Sequence, residues 1–119
     1  MHRNEVLELS LTFALNVIAF SETLDLMKKY VISKQLLRSG TSIGACIREA
    51  QKAESRADFF HKMSIAAKEA EETEYWLILC NLSNTYPKPE VLLNEIKSIQ
   101  KLLSKILSRN TPNNQKTKV

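Results

Sequence analysis

The sequence predicts an all-α fold of four helices, the first two antiparallel neighbours across the short link Lys29 to Ile32. Three observations point there. Only two Gly and three Pro occur among 119 residues, with 44% hydrophobic and 25% charged residues, which describes long regular segments and few turns. Apolar residues recur at spacings of three and four in four separate stretches. One short segment, Asn84 to Pro89, carries an Asn and two prolines and cannot continue a helix. The length suits a single domain with one hydrophobic core, and helices are expected over about 4–28, 33–53, 56–83 and 89–109, with a disordered basic tail at 110–119.

In the first helix Val6, Leu9, Phe13, Val17, Phe20, Leu24 and Met27 form a seam toward the core. A second apolar stripe, Leu7, Leu11, Leu15 and Ile18, lies more than a quarter-turn away. A four-helix monomer would leave it partly wet, so self-association is expected there. The run Leu9 to Phe20 follows His2 and Arg3 and superficially imitates a signal peptide. Glu5 and Glu8 are acidic where a signal would be basic, and the helical pattern continues through Met27, so the reading is a folded helix. The run is also too short to span a membrane.

The second helix, Ser33 to Ala53, organises the rest. Ser33 is its expected N-cap. At about 100° per residue, Ile32, Leu36, Ser39, Gly40, Ile43, Cys46, Ile47 and Ala50 share one face, and Lys34, Arg38, Arg48, Lys52 and Arg56 gather within about 40° of the opposite direction. Both glycines of the protein, Gly40 and Gly44, sit one turn apart on this helix, although each costs about 1 kcal/mol relative to Ala. Missing side chains admit a neighbouring backbone, so the tightest helix contact is expected here, with the alanines of helix 3 as its receivers.

Ser55 to Asp58 has capping-box spacing with Asp in place of Glu and starts the third helix. Phe59, Phe60, Met63, Ala66, Ala67, Ala70, Leu77 and Ile78 make its inner stripe. Ile65, Trp76, Leu79 and Cys80 form a second apolar patch that implies another buried face in an oligomer. Glu74 falls between Ala70 and Leu77, so it is expected to be partly buried against Arg38 or Ser42. The fourth helix, with Pro89 in its first turn, turns Leu92, Ile96, Ile99, Leu103 and Ile106 inward and Lys97, Lys101, Lys105 and Arg109 toward solvent and the C-terminal end.

Seventeen basic and thirteen acidic residues give a formal net charge of +4, and the sequence pI is near 9.1. That balance alone does not define a partner. Cys46 and Cys80 form no C-x-x-C pair and suit a reduced, cytoplasmic setting. A di-iron bundle would need Glu-x-x-His pairs aimed inward; only Asp58 to His61 comes near that spacing, and it faces out. No nucleophile constellation or phosphate-binding glycine loop occurs. No catalytic residue, cofactor or metal is therefore expected. The basic stripe is the leading functional surface: five cations over about 30 Å of helix suit phosphate contact, and with no aromatic residue among them base stacking is not indicated. The competing reading is a solvated face paired with Glu49, Glu54 or a neighbouring subunit.

The stretch from Ser33 to Leu77 resembles the bacterial four-helix bundle proteins known as 23S rRNA intervening-sequence proteins. The likeness is carried by Gln35-Leu36, Arg38-Ser39-Gly40-Thr41-Ser42-Ile43-Gly44, Glu49-Ala50, Ala53-Glu54-Ser55, Asp58-Phe59, His61-Lys62, Lys68-Glu69-Ala70 and Glu72-Thr73-Glu74-Tyr75-Trp76-Leu77. Cys46 departs from it, since the family usually has Asn after the residue equivalent to Ala45. The resemblance implies an antiparallel up-down-up-down four-helix bundle that assembles as a homopentamer and is encoded within 23S rRNA gene insertions or elsewhere in the chromosome. The chain is also similar to the accessory variability protein of diversity-generating retroelements, a basic pentamer that binds nucleic acid and a reverse transcriptase. The resulting expectation is a non-catalytic, cytoplasmic, oligomeric accessory protein that contacts RNA or DNA through Lys34, Arg38, Arg48, Lys52 and Arg56. It has itself as partner, RNA or DNA and a reverse transcriptase or other protein as further partners, and no membrane. Its interfaces are expected at Leu7, Leu11, Leu15 and Ile18 on helix 1 and Ile65, Trp76 and Leu79 on helix 3. The alternative is a protein-protein scaffold without nucleic-acid binding.

Overall fold

The computed structural model describes residues 4–110. They form four helices, α1 (Glu5–Leu26), α2 (Tyr30–Ala50), α3 (Arg56–Leu82) and α4 (Glu90–Ser108), with no strand among the described residues. The expected tail is represented only by Asn110, in a turn; residues 111–119 lie outside the described residues. Each helix packs against two others, α2 against α1 and α3, and α4 against α3 and α1, so the four close into a ring around one core. Phe13, Leu24, Leu36, Ile43, Ile47, Met63, Leu77, Ile96, Ile99 and Leu103 fill its interior.

The helix ends show why the segments start and stop there. Asn4 caps α1 by accepting from the Leu7 N–H at 3.2 Å. At the other end Lys28 N–H donates to Asp25 C=O at 2.9 Å and Lys29 N–H to Leu24 C=O at 2.8 Å, a Schellman pair with Lys28 in the left-handed region at φ 63°. Ser33 is not the cap of α2. The helix begins at Tyr30, its cap position is Lys29 without a side-chain bond, and Ser33 lies buried within the first turns. Its hydroxyl donates across the α1–α2 seam to Ser21 C=O at 3.0 Å, and the Ser21 hydroxyl reaches Ser33 C=O at 3.4 Å. A buried hydroxyl that is satisfied by a neighbouring helix has no need to end its own.

Ser55 does cap α3, accepting from Asp58 N–H at 3.0 Å, while Asp58 accepts in return from Glu54 N–H, one residue before the cap, at 3.2 Å. Lys88 closes the break after α3 by donating to Asn81 C=O at 2.7 Å and Ser83 C=O at 3.1 Å, carbonyls left open at the helix end. Pro89 takes the cap position of α4 rather than its first turn.

Gly40 and Gly44 are both helical, yet they meet α1, not the α3 alanines. A Cβ at Gly40 would stand 3.0 Å from both methyls of Val17, and one at Gly44 would stand 3.3 Å from Ser10 Oγ. Ser10, Val17 and Ser21 thus run opposite Gly44, Gly40 and Ser33 along a seam of small groups. Cys80, assigned to the outer patch, is 1% exposed, whereas Ile78, assigned to the inner stripe, is 40% exposed. Met27 also leaves the α1 seam, because it stands at the end of the helix and is exposed. Leu9 and Phe20 lie half-buried against the core.

The run Leu9 to Phe20 is too short to cross a membrane, but α1 as a whole is not. Its 22 residues pass the length and hydropathy test for a span, and little more than a quarter of the apolar window, 28%, is buried in the bundle. The rest of the window is divided between half-buried residues such as Leu9 and Phe20 and the exposed Leu11, Leu15 and Ile18.

Candidate nucleic-acid interface

The five cations of the expected α2 stripe separate into two groups. Lys34 and Arg48 stand exposed on α2, and Lys52 stands exposed in the turn just after it. None of the three forms an ion pair among the described residues. Lys34 and Arg48 are fourteen residues apart, about 21 Å along the helix. Arg38 and Arg56 are engaged within the chain. Arg38 Nη1 lies 3.5 Å from Glu69 Oε1 and its Nη2 hydrogen-bonds Glu72 Oε2, which also accepts from Trp76 Nε1 at 3.0 Å. The Arg38 guanidinium and the Trp76 indole hold the Glu72 carboxyl below its ordinary range, and the carboxylate in turn raises Arg38.

Arg56 opens α3 instead of extending α2. Its Nη2 donates to Arg109 C=O at 3.0 Å, and its guanidinium sits 4.8 Å from the centre of the Phe60 ring, so it ties the start of α3 to the end of α4. The wheel placed it with the stripe by extending α2's period through residues 51–55, where the helix has already ended.

Two apolar surfaces flank α2. On one side Leu11, Leu15 and Ile18 of α1 are 64%, 60% and 39% exposed. Leu7 and Leu11 line a groove of about 310 Å³ with Ala14, Gly44, Ala45 and Arg48. On the other side Ile65 and Tyr75 are exposed and Trp76 and Leu79 half-buried, beside the Arg38 cluster. Glu74 is half-buried as expected, but its partner is neither Arg38 nor Ser42. Gln100 Nε2 of α4 donates to Glu74 Oε1 at 3.2 Å, while Ser42 spends its hydroxyl on Arg38 C=O at 2.7 Å. Residue period places a side chain on a face; it does not say which long polar group of another helix reaches it.

The inner edge of the α2–α3 contact holds Thr73, which the sequence reading did not single out. Its hydroxyl and that of Ser39 meet at 2.9 Å with both residues fully buried, and Thr73 also donates to Glu69 C=O at 2.7 Å. The signal available was a lone Thr at the stripe position between Ala70 and Leu77. Both cysteines are free thiols; burial pushes Cys80 up to about 11 and raises Cys46, so neither supplies a thiolate near neutral pH. Among the described residues no three His, Cys, Asp or Glu side chains stand together as metal ligands would.

Residues 2–105 match the profile of the family described as 23S rRNA-intervening sequence protein. A crystal structure from Bacteroides thetaiotaomicron, described as a protein of unknown function from the S23 ribosomal protein family, is similar at 48% identity and a TM-score of 0.82. The match covers 86% of this chain and 97% of that one. No curated protein matches the chain. The matched span takes in all of α1, α2 and α3 and nearly all of α4, so the chain belongs to the 23S rRNA-intervening sequence protein family.

Proposed function

We propose that this chain is a non-catalytic, cytoplasmic accessory protein: an antiparallel up-down-up-down bundle that self-associates into a ring and contacts the phosphates of RNA or DNA. The observation that carries self-association is the pair of unlike apolar surfaces on either flank of α2. Leu11, Leu15 and Ile18 on one side and Ile65, Trp76 and Leu79 on the other give two different patches on one protomer. Unlike patches that bind head to tail close into rings when the rotation allows. A homopentamer is the closure that the sequence resemblance implies. The antiparallel order is supported by the side-chain pairs: Asn4 with Gln51 and Ser21 with Ser33 link opposite ends of α1 and α2, and Asn16 with Glu95 joins α1 to α4.

Phosphate contact rests on Lys34, Arg48 and Lys52, exposed and without an ion pair among the described residues. The stripe holds three available cations, not five, so each protomer binds weakly and a ring multiplies the contact through effective concentration. The scaffold reading draws on Arg38, whose charge is already used by Glu69 and Glu72. Nucleic acid and a reverse transcriptase or similar protein are the proposed partners.

Sedimentation equilibrium at micromolar concentration tests the assembly: a pentamer mass is expected, and a monomer refutes it. Fluorescence anisotropy with short RNA and DNA duplexes tests the contact. Affinity is expected to fall steeply with salt and to drop again in Arg48→Glu/Lys52→Glu. No binding by the intact protein even at low salt leaves the scaffold.

A further inference from the structure

The positive charge of this chain is not spread along it. Residues 1–95 hold all thirteen acidic residues and eleven of the seventeen basic ones, a net of −2. Residues 96–119 hold six basic residues and no acidic one. Three of the six, Lys97, Lys101 and Lys105, follow each other at single-turn spacing on the outer face of α4, and all three are exposed. None forms an ion pair among the described residues. Ser98 and Ser104, also exposed, stand beside them.

We propose that this face of α4 is the principal contact of the protein with the sugar-phosphate backbone of a nucleic acid, with Lys97, Lys101 and Lys105 as phosphate-binding residues. The inference rests on the nucleic-acid reading above and moves its centre from α2 to α4. Charge complementarity selects the occupant. Successive lysines are separated by about 6 Å of helix rise, so they form a short cationic row suited to a repeating line of phosphates. Ser104 between Lys101 and Lys105 is the side-chain type that adds a hydrogen bond to a phosphate oxygen, while Ser98 donates its hydroxyl to Asn94 C=O at 3.3 Å. A membrane surface would require an apolar face on the same helix, and a protein partner would require an aromatic or aliphatic anchor. The only large exposed hydrophobic residue of α4 is Val91, at its other end. The face lies on the helix that packs against α1 and α3 but not α2, apart from the two apolar surfaces that flank α2.

Anisotropy titrations with labelled RNA and DNA duplexes over a salt series compare the intact protein, Lys97→Glu/Lys101→Glu/Lys105→Glu, the matching triple Gln variant, and Arg48→Glu/Lys52→Glu. The triple Glu variant is expected to lose at least about tenfold in affinity, with the salt slope reduced by about 2.7 for three lost phosphate contacts. The Gln variant falls between it and the intact protein, and the α2 variant loses less than either. If only Arg48→Glu/Lys52→Glu weakens binding, the α4 assignment is overturned while the nucleic-acid reading stands. If the intact protein binds neither duplex at low salt, the nucleic-acid reading fails and the α4 assignment with it. Equal or tighter lysine-dependent binding to phosphatidylserine vesicles overturns the choice of nucleic acid. Unchanged circular dichroism of the triple variants, whose substitutions are on an exposed face, confirms that folding is intact.

Discussion

The two flanks of α2 are built differently at mid-helix, where Ser39, Gly40 and Gly44 stand. Toward α1 the contact is made by absence: Gly40 and Gly44 offer no side chain, and Val17 and Ser10 occupy the space. Toward α3 it is made by addition: the Ser39–Thr73 hydroxyl pair is buried, and Arg38, Glu69, Glu72 and Trp76 extend the contact to the surface. Around the glycines the first flank depends on dispersion and shape, most strictly at Gly40, and it carries buried hydroxyl bonds only at its Ser21–Ser33 end. The second depends on paired polar groups, and tolerates no unpaired one. A single helix therefore fails in two different ways.

The largest effect is expected on the first flank. Gly40→Leu drives a side chain into Val17, which is β-branched, fully buried and unable to rotate away. Overpacking of this kind costs about 3 kcal/mol, partly offset by the better helix propensity of Leu. A lower urea midpoint at unchanged slope is the expected reading. Gly44→Ala is the contrast: its nearest neighbour is the small Ser10 hydroxyl at 3.3 Å, and a propensity gain of about 1 kcal/mol weighs against that contact. It is expected to unfold within about 0.5 kcal/mol of the parent. Equal losses at the two glycines would dissolve the distinction between a stiff and a yielding neighbour.

On the second flank Thr73→Val keeps the shape and removes the hydroxyl. Ser39 is then left buried without the one side-chain partner it has among the described residues, at an expected cost of about 2 kcal/mol. Replacing both residues, with Ser39→Ala added, removes the orphan along with the pair. The double variant is expected to lose less than the sum of the singles, which a denaturation cycle measures directly. Strict additivity would mean that the hydroxyls contribute separately and that this flank is not built on pairing.

How much of this contrast the sequence disclosed differs between the flanks. The four helices followed from apolar period and from the Asn84 to Pro89 break, and Ser39, Gly40, Ile43 and Ile47 fell on the packed face as the wheel had them. Period assigns a face, not a neighbour, so the glycines were matched to the α3 alanines when the receiving surface was Ser10 and Val17 of α1. Ser33 looked like a cap because Ser favours both caps and buried seams, and only the Ser21 carbonyl distinguishes them. The exposure of Leu11 and Leu15 is legible because an apolar stripe in excess of one core is visible on the wheel. Arg38 and Arg56 find partners within the chain that the wheel does not reveal, because a wheel shows where a cation starts, while a long flexible side chain ends wherever a carboxylate, carbonyl or ring awaits it.

The smallest effect is at the outer edge of the second flank. Glu72 is held below its ordinary value of 4.5 by the Arg38 guanidinium first and the Trp76 indole second. A carboxylate with a depressed folded-state pKa contributes stability that is complete above the unfolded value and is lost as pH falls through the folded one. The contribution therefore disappears on acidification below about pH 4.5, and because the pair is exposed it is small. Arg38→Met should unfold slightly more easily than the parent near neutral pH and equally at acid pH, so its acid limb is flatter. Trp76 is the only tryptophan, and its Nε1 donates to the same carboxylate, so its emission reports this site alone. In the parent the emission should titrate below pH 4.5, and in Arg38→Met the midpoint should move upward, since the larger of the two groups favouring the carboxylate is gone. An unmoved midpoint would mean that Arg38 does not hold Glu72 in solution, returning that cation to the exposed stripe of α2 beside Lys34 and Arg48.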